Sequence, residues 1–106
     1  MDFTYKVNEK LLNKDLKLAV YRILQEQFNN TVKYAKASHV NMSLQTNKSK
    51  LKVVYKDNGV GFNPTIKKSG LGLKNIQNRA ETYRGEVNIK AAIGKGFSSN
   101  IFFPLN

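Results

Sequence analysis

A chain of 106 residues with 41% hydrophobic residues is long enough for one domain with a single core. It contains no cysteine, which excludes disulfide bonds and thiolate metal sites. The formal net charge of +11 indicates either an anionic partner, such as a nucleotide, a nucleic acid or an acidic protein, or simply a solvated basic surface.

The first third of the chain predicts a strand followed by a long helix. Phe3, Tyr5 and Val7 alternate with polar residues, as in a strand. Asn13 is a suitable N-cap for a helix that runs from about residue 14 to residue 34 or 35. Apolar residues step by four along this helix and predict one buried stripe, formed by Val20, Leu24, Phe28 and Val32 with Ile23 beside them.

The rest of the chain predicts two hairpins separated by a loop and a second helix. Alternating apolar residues indicate strands at 40–44 and 51–55, joined by a turn at 46–49. Residues 57–69 lack periodicity, and loops of this length often cover a ligand. A helix at 73–83 is expected to stop at Gly85, and strands follow from Val87 and up to Phe103, joined by a turn at 94–96. This order predicts a mixed sheet with helices on one face.

Six of the seven glycines form three Gly-x-Gly pairs, at 59/61, 70/72 and 94/96. Glycine permits sharp turns and a close approach of backbone to a ligand. The first pair follows Asp57, whose carboxylate accepts hydrogen bonds only and therefore suits the exocyclic amine of adenine. The second pair precedes the second predicted helix, where free N–H groups and the helix dipole attract phosphate. Each segment taken alone also fits an ordinary turn or hinge.

A row of polar residues lies along the flank of the first helix. Glu26 and Asn30 are four residues apart and share a face, Tyr34 continues the row, and Lys33 lies beside it. An amide oxygen can ligate Mg²⁺, a carboxylate can orient a water or act as a base, and lysine attracts phosphate. A solvated helix face with incidental polar pairs is the alternative. Neither a P-loop nor a Rossmann glycine motif is present.

Together these segments resemble the ATP-binding domain of the GHKL superfamily, and more narrowly the catalytic ATP-binding domain of bacterial two-component sensor histidine kinases. The resemblance covers roughly residues 15–106. It rests on an N box at 25–35 (QEQFNNTVKYA), a G1 box at 57–62 (DNGVGF), a G2 box at 70–76 (GLGLKNI) and a closing strand at 94–105. It implies an α+β two-layer sandwich with a mixed, mostly antiparallel sheet and helices on one face.

The resemblance also implies a site for ATP and Mg²⁺. It assigns Mg²⁺ ligation to Asn30, assistance at the γ-phosphate to Glu26, phosphate contact to Lys33 and a position near the nucleotide to Tyr34. Asp57 would accept a hydrogen bond from the adenine amine. The remaining contacts would shape the adenine pocket and close over the phosphates, and they involve Gly59, Gly61, Gly70, Leu71, Gly72 and Leu73.

The resemblance further implies a partner. Residues 1–106 are expected to be a single catalytic domain, the C-terminal part of a larger kinase. The γ-phosphate of bound ATP would be transferred to a histidine on a separate dimerisation domain. A response regulator would be an indirect partner. His39 is expected to be structural or solvated instead of the acceptor. No apolar run could span a bilayer and no signal-peptide pattern is present, so we expect a cytoplasmic domain, monomeric in isolation, even where the parent is membrane-anchored.

One departure and three alternative interpretations accompany this expectation. Phe97 stands where the family often has threonine. A GHKL-type serine kinase of the anti-sigma-factor kind is disfavoured by the sequence at 73–80. A nucleotide-binding pseudokinase is disfavoured by the presence of Glu26 and Asn30. A basic nucleic-acid-binding module would need basic and aromatic residues on one surface, for which the lysine row at 48–52 is the candidate, and we expect no nucleic-acid partner.

Overall fold

The computed structural model describes residues 2–32, 38–59, 73–91 and 96–105, and for Asn30, Leu73 and Ala91 it describes the backbone alone. Within these ranges the chain forms five strands, two α-helices and a short 3-10 turn at Glu9–Leu11. In chain order the main elements are β1 (Asp2–Lys6), α1 (Lys14–Asn30), β2 (Val40–Asn47), β3 (Lys50–Asp57), α2 (Leu73–Thr82), β4 (Glu86–Ala91) and β5 (Phe97–Pro104).

All five strands belong to one sheet with the order β1-β2-β3-β5-β4. The β1–β2 pair is parallel, and the other three pairs are antiparallel. A parallel pair needs a crossover connection, and α1 lies in that connection. Residues from both helices share one core cluster with residues from β2, β3 and β5. The predicted fold class, an α+β sandwich with a mostly antiparallel sheet, is confirmed.

The start of α1 follows the prediction. The Asn13 side chain accepts a hydrogen bond from the backbone N–H of Leu16 at 2.8 Å, which satisfies one of the free donors at the helix N-terminus. The α-helix is described to Asn30, and Thr31 and Val32 continue it in a wider π-helical turn. The predicted end at residue 34 or 35 lies outside the described residues.

The buried face of α1 differs from the predicted stripe in its second half. Val20 and Ile23 are buried as expected, but Phe28 is 38% exposed and Val32 is 69% exposed. The buried row lies one residue earlier than the predicted one, which corresponds to a rotation of about 100° around the helix axis. The residues that face the sheet are Leu16, Ala19, Val20, Ile23, Gln27 and Thr31. The helix therefore turns two polar side chains inward near its C-terminal end.

The predicted alternation in β3 is confirmed. Leu51, Val53 and Tyr55 are 0–1% exposed and face the helices, as Asp57 does. Lys50, Lys52 and Lys56 are exposed on the opposite side. The predicted hairpin turn is also present, with Lys48 at φ 53. The Lys52 Nζ lies 5.8 Å from the centroid of the Phe102 ring on β5.

Helix α2 ends at Thr82, close to the predicted stop at Gly85. The residue that takes the left-handed backbone conformation there is Arg84, at φ 62. The N–H of Gly85 donates to the carbonyl of Ala80 at 2.8 Å and closes the turn. A Cβ at Gly85 would lie 2.8 Å from Cε1 of Phe103, so this glycine is required for close packing against β5.

Strand β1 lies at the edge of the sheet, and all five of its residues are exposed. None of the described helices is long and apolar enough to cross a bilayer.

Candidate functional site

The C-terminal ends of α1 and β3 meet at one end of the molecule. Asp57 is the last residue of β3 and is only 4% exposed. Thr31 follows α1 directly, and its hydroxyl lies 3.0 Å from Asp57 Oδ2, to which it donates a hydrogen bond. The structure thus places the acidic residue of the first glycine motif beside the end of the helix that carries Glu26 and Asn30.

The second carboxylate oxygen of Asp57 closes a tight turn. The backbone N–H of Gly59 donates to Oδ1 at 2.9 Å, as aspartate side chains do when they cap the residues after them. Among the described residues, no lysine, arginine or histidine forms an ion pair with this carboxylate. An ionised carboxylate offers about four acceptor positions. Asp57 is therefore a buried acceptor with two donors in place and capacity for a further donor.

Gly96, the second glycine of the last pair, also lies against Asp57. Gly96 has φ 77, and a Cβ there would collide with the backbone carbonyl oxygen of Asp57. Its neighbour Phe97 is the register partner of Asp57 in the β3–β5 pair. Glycine at position 96 allows the start of β5 to approach the end of β3, so two motifs that are distant in sequence become neighbours.

A buried tyrosine lies beneath the carboxylate. The Tyr55 side chain is fully buried, and its hydroxyl lies 2.5 Å from the Thr31 hydroxyl. Burial raises the pKa of Tyr55, and the charge of Asp57 raises it further. The Phe97 ring packs edge-on against the Tyr55 ring, with 6.3 Å between centroids. The aromatic residue at position 97 thus supports the tyrosine that contacts Thr31.

A second polar pair lies one turn earlier on α1. Gln27 is 1% exposed, and its Nε2 donates to the hydroxyl of Ser99 at 2.5 Å. Ser99 is the register partner of Tyr55, so the two polar contacts lie next to each other on the sheet. The Oε1 atom of Gln27 is buried and has no hydrogen-bond partner among the described residues. These contacts form a polar layer, which we define as Gln27, Thr31, Tyr55, Asp57 and Ser99.

Asn58, the residue after Asp57, forms hydrogen bonds with the residues just before β2. Asn58 Oδ1 accepts from the backbone N–H groups of Ser38 and His39 at 3.0 and 2.9 Å, and its Nδ2 donates to Ser38 Oγ at 2.8 Å. The His39 ring Nε2 lies 2.9 Å from Asp2 Oδ2, which joins it to the edge strand. His39 therefore occupies a structural position between β1 and β2.

The remaining predicted site residues are described unevenly. Glu26 is half-buried on α1 and makes no hydrogen bond or ion pair with the described part of the chain. Asn30 is the last residue of α1, and Leu73 is the first of α2. Six further predicted contacts lie outside the described residues, namely Lys33, Tyr34, Gly61, Gly70, Leu71 and Gly72. Across the described ranges, no group of three or more histidine, aspartate or glutamate side chains could hold a metal ion.

A cleft of about 220 Å³ lies elsewhere, between α1 and α2. Its lining consists of Asp15, Leu18, Ala19, Arg22, Arg79, Thr82 and Tyr83. These residues belong to the first half of α1 and the end of α2, whereas the polar layer lies at the other end of α1. The cleft is therefore separate from the Asp57 site.

Comparison with known families gives a match over most of the chain. Residues 15–106 match the profile of the family described as histidine kinase-, DNA gyrase B- and HSP90-like ATPases. The matched range contains α1 from its second residue onward, α2, β2 to β5 and the whole polar layer.

Two curated bacterial proteins are similar to this chain in sequence. The signal transduction histidine-protein kinase/phosphatase DegS of Brevibacillus brevis is 35% identical over 106 residues, which are 99% of this chain and 28% of that protein. The oxygen sensor histidine kinase NreB of Staphylococcus carnosus is 36% identical over 95 residues, which are 88% of this chain and 27% of that protein. The chain thus spans little more than a quarter of the length of these relatives.

Solved structures show the same fold at low sequence identity. A blue-light-activated histidine kinase of Erythrobacter litoralis EL346 superposes with a TM-score of 0.82 and 17% identity, over 98% of this chain and 34% of that one. The histidine kinase AdeS of Acinetobacter baumannii superposes with a TM-score of 0.70 and 18% identity, over 85% of this chain and 47% of that one. These likenesses support the fold described above.

Proposed function

Because the chain belongs to the family of histidine kinase-, DNA gyrase B- and HSP90-like ATPases, we propose that it binds Mg-ATP as the catalytic domain of a histidine kinase. The γ-phosphate would pass to a histidine on a separate dimerisation domain in two-component signalling. The observation that carries the proposal is the Asp57 carboxylate, which is buried, held by two hydrogen bonds and unpaired with any cation among the described residues.

Asp57 would recognise the adenine base. Its free acceptor capacity suits the exocyclic amine of adenine, which donates hydrogen bonds. Guanine presents a carbonyl oxygen at the same ring position, and two acceptors facing each other in a buried site lose a hydrogen bond that water would otherwise supply. The site should therefore select ATP over GTP, with Gly59 and Gly61 bounding the base.

The phosphates would lie along the end of α1. Glu26 is half-buried and makes no contact with the described residues that would occupy its carboxylate, so it is available to assist at the γ-phosphate. Lys33 would contact phosphate and Tyr34 would lie near the nucleotide. The G2 residues would close over the phosphates, and they are Gly70, Leu71, Gly72 and Leu73.

The donor chemistry at Asn30 fits Mg²⁺. Magnesium prefers hard oxygen ligands, keeps several waters and is commonly held by few protein groups together with substrate phosphates. The absence of a cluster of acidic or histidine ligands among the described residues agrees with a metal held mainly by the nucleotide. Bound at Asn30, the ion would supply neutralisation of phosphate charge.

The relatives support the partners that we propose. DegS and NreB are histidine kinases about four times as long as the matched region. We propose that the acceptor histidine of this protein lies on a dimerisation domain of the same kind of kinase, with a response regulator as the indirect recipient. The domain would act in the cytoplasm.

Calorimetric titration tests the nucleotide site. A non-hydrolysable ATP analogue with Mg²⁺ should bind the 106-residue chain with about −5 to −6 kcal/mol, which corresponds to tens to hundreds of micromolar. The GTP analogue should bind at least about tenfold more weakly. A folded chain that binds neither analogue, but binds RNA or DNA in a salt-sensitive way, would overturn the proposal in favour of a nucleic-acid-binding module.

The Asp57→Asn variant sharpens this test. Asparagine keeps the size of the side chain but replaces one acceptor oxygen with a donor amide, so the ATP analogue should lose at least about tenfold in affinity. The thermal unfolding transition should remain cooperative, as measured by circular dichroism. Unchanged ATP affinity in a folded Asp57→Asn chain would remove the role of this carboxylate in base recognition.

A further inference from the structure

We propose that Thr31 is a positioning residue of the base-binding site, because it transmits a hydrogen-bond chain from the buried Tyr55 hydroxyl to the Asp57 carboxylate. The chain would hold the carboxylate in the orientation that distinguishes adenine from bases without an exocyclic amine. This inference rests on the proposed nucleotide function and adds a specificity-determining residue to it.

Counting protons fixes the direction of the hydrogen-bond chain. The Thr31 hydroxyl has one proton and three polar neighbours, namely Asp57 Oδ2 at 3.0 Å, the Gln27 carbonyl oxygen at 3.2 Å and the Tyr55 hydroxyl at 2.5 Å. An ionised carboxylate and a carbonyl only accept hydrogen bonds. The Gln27 carbonyl already accepts from the backbone N–H of Thr31, so the carboxylate, which is charged and nearer, takes the hydroxyl proton.

The tyrosine must then be the donor at the start of the chain. If Tyr55 accepted from Thr31, its own proton would have no acceptor among the described residues, at a fully buried position. The arrangement that satisfies every group is Tyr55 O–H donating to Thr31 Oγ1, and Thr31 O–H donating to Asp57 Oδ2. Successive hydrogen bonds aligned in one direction polarise one another, so the last one, to the carboxylate, is strengthened.

Two different elements hold the two oxygens of Asp57. The turn after β3 supplies the Gly59 N–H for Oδ1, and the end of α1 supplies the Thr31 hydroxyl for Oδ2. Two donors from separate directions define the plane of the carboxylate and therefore the direction of its remaining lone pairs. With the turn alone, the carboxylate would be free to rotate away from the base.

Thr31 also follows Asn30 directly in the chain. The residue that orients the proposed base-binding group therefore adjoins the proposed Mg²⁺ ligand. Thr31 begins the π-helical turn at 31–32, directly after the last residue of α1.

The test compares two nucleotides on the 106-residue chain. One is the non-hydrolysable ATP analogue, and the other is the same triphosphate carrying purine riboside, which lacks the exocyclic amine. Thr31→Val keeps the shape of the side chain and removes its hydroxyl. We expect this variant to lose about tenfold in affinity for the ATP analogue and little for the purine analogue, so the selectivity ratio falls. Thr31→Ser should restore the ratio.

Thr82→Val is the matched control. The Thr82 hydroxyl donates to the carbonyl of Asn78 at 2.9 Å, the same contact within a helix that Thr31 makes with Gln27, but Thr82 is exposed and far along the chain from the site. Its loss should leave both affinities unchanged. Tyr55→Phe tests the hydrogen-bond chain independently, because it removes the first donor and keeps the ring against Phe97. It should lower the selectivity ratio in the same direction and by less.

The outcomes separate this inference from the proposed function. A wild-type chain that selects the ATP analogue, with a Thr31→Val variant that keeps this selectivity or weakens both nucleotides equally, would overturn the positioning role and leave the function standing. A folded wild-type chain that binds neither nucleotide would overturn both. If Thr31→Val fails to fold, the ratio in Tyr55→Phe decides, and an unchanged ratio there overturns the inference.

Discussion

The two halves of α1 face the sheet with different chemistry. The first half presents Leu16, Val20 and Ile23, which pack into the main core cluster with residues of β3 and β5. The second half presents Gln27 and Thr31, which reach the sheet through hydrogen bonds. The sheet-facing side chains of both halves are buried. The halves therefore differ in what these side chains contact and not in how deeply they are buried.

This contrast separates a stabilising end from the end at which we propose the nucleotide site. Apolar burial contributes about 25 cal/mol per Å² removed from water, whereas a buried hydrogen bond between neutral groups contributes about 1 kcal/mol net. Among the described residues, the Gln27 Oε1 atom at the polar end has no hydrogen-bond partner and the Asp57 carboxylate has no ion pair, and both are costly to bury. Such locally unfavourable choices are expected where a site is built.

The largest expected effect comes from breaking the apolar end. Ile23→Ala removes a side chain that is 1% exposed and leaves a cavity beneath α1, so the free energy of unfolding should fall by about 2–5 kcal/mol. Leu18→Ala is the matched control, because Leu18 is on the same helix but 51% exposed, and its cost should stay within about 0.5 kcal/mol. Urea titrations of both variants measure the difference. Equal losses in the two would contradict the division of the helix into buried and exposed faces.

An intermediate effect is expected from the Gln27–Ser99 pair. Ser99→Ala leaves the Gln27 amide without its remaining partner and should cost about 1–3 kcal/mol of unfolding free energy. Replacing both residues, as Gln27→Leu with Ser99→Ala, removes the unpartnered oxygen as well and should recover wild-type stability or exceed it. A double-mutant cycle by urea titration measures this coupling. A double variant less stable than either single variant would show that the polar pair is itself stabilising.

The sequence predicted the sheet better than the helix face. Strict alternation in β3 identifies Leu51, Val53, Tyr55 and Asp57 as one face, because the side-chain period of a strand is two whatever lies against it. The apolar residues of α1 point to Phe28 and Val32, which are exposed. The buried row lies one residue earlier and leads from Ile23 to Gln27 and Thr31, but polar residues at those positions give no hydrophobic signal.

The site was predictable only in part for a similar reason. Asp57 can be identified from the sequence, because it ends a predicted strand and is followed by a glycine motif. The partner of that carboxylate, Thr31, is 26 residues away, and Ser99 is 72 residues from Gln27. Contacts of this kind depend on how α1 lies across the sheet, which no local pattern encodes. Gly96 gave a local signal, although its role against the Asp57 carbonyl needed the β3–β5 register.

The smallest expected effect concerns the polar end at alkaline pH. Burial, reinforced by the charge of Asp57, raises the pKa of Tyr55 above the value of about 10 that it has in an unfolded chain. As pH rises above 10, the unfolded state therefore releases this proton first. The stability that Tyr55 contributes is fully present below pH 10 and is lost as pH rises through its higher folded-state pKa.

Tyr55→Phe isolates this contribution, because phenylalanine keeps the ring against Phe97 and has no proton to release. Wild type should lose stability between about pH 10 and pH 11 more steeply than Tyr55→Phe, with a difference that grows with pH. The control is Tyr21→Phe, at a residue that is 61% exposed, which should keep the wild-type slope. Urea midpoints at a series of alkaline pH values measure all three chains, and identical slopes for wild type and Tyr55→Phe would contradict a tyrosine held protonated by its burial beside Asp57. The hydrogen-bond chain from Tyr55 to Asp57 begins with this proton. The same titration therefore reports on the end of α1 at which we propose that the base is recognised.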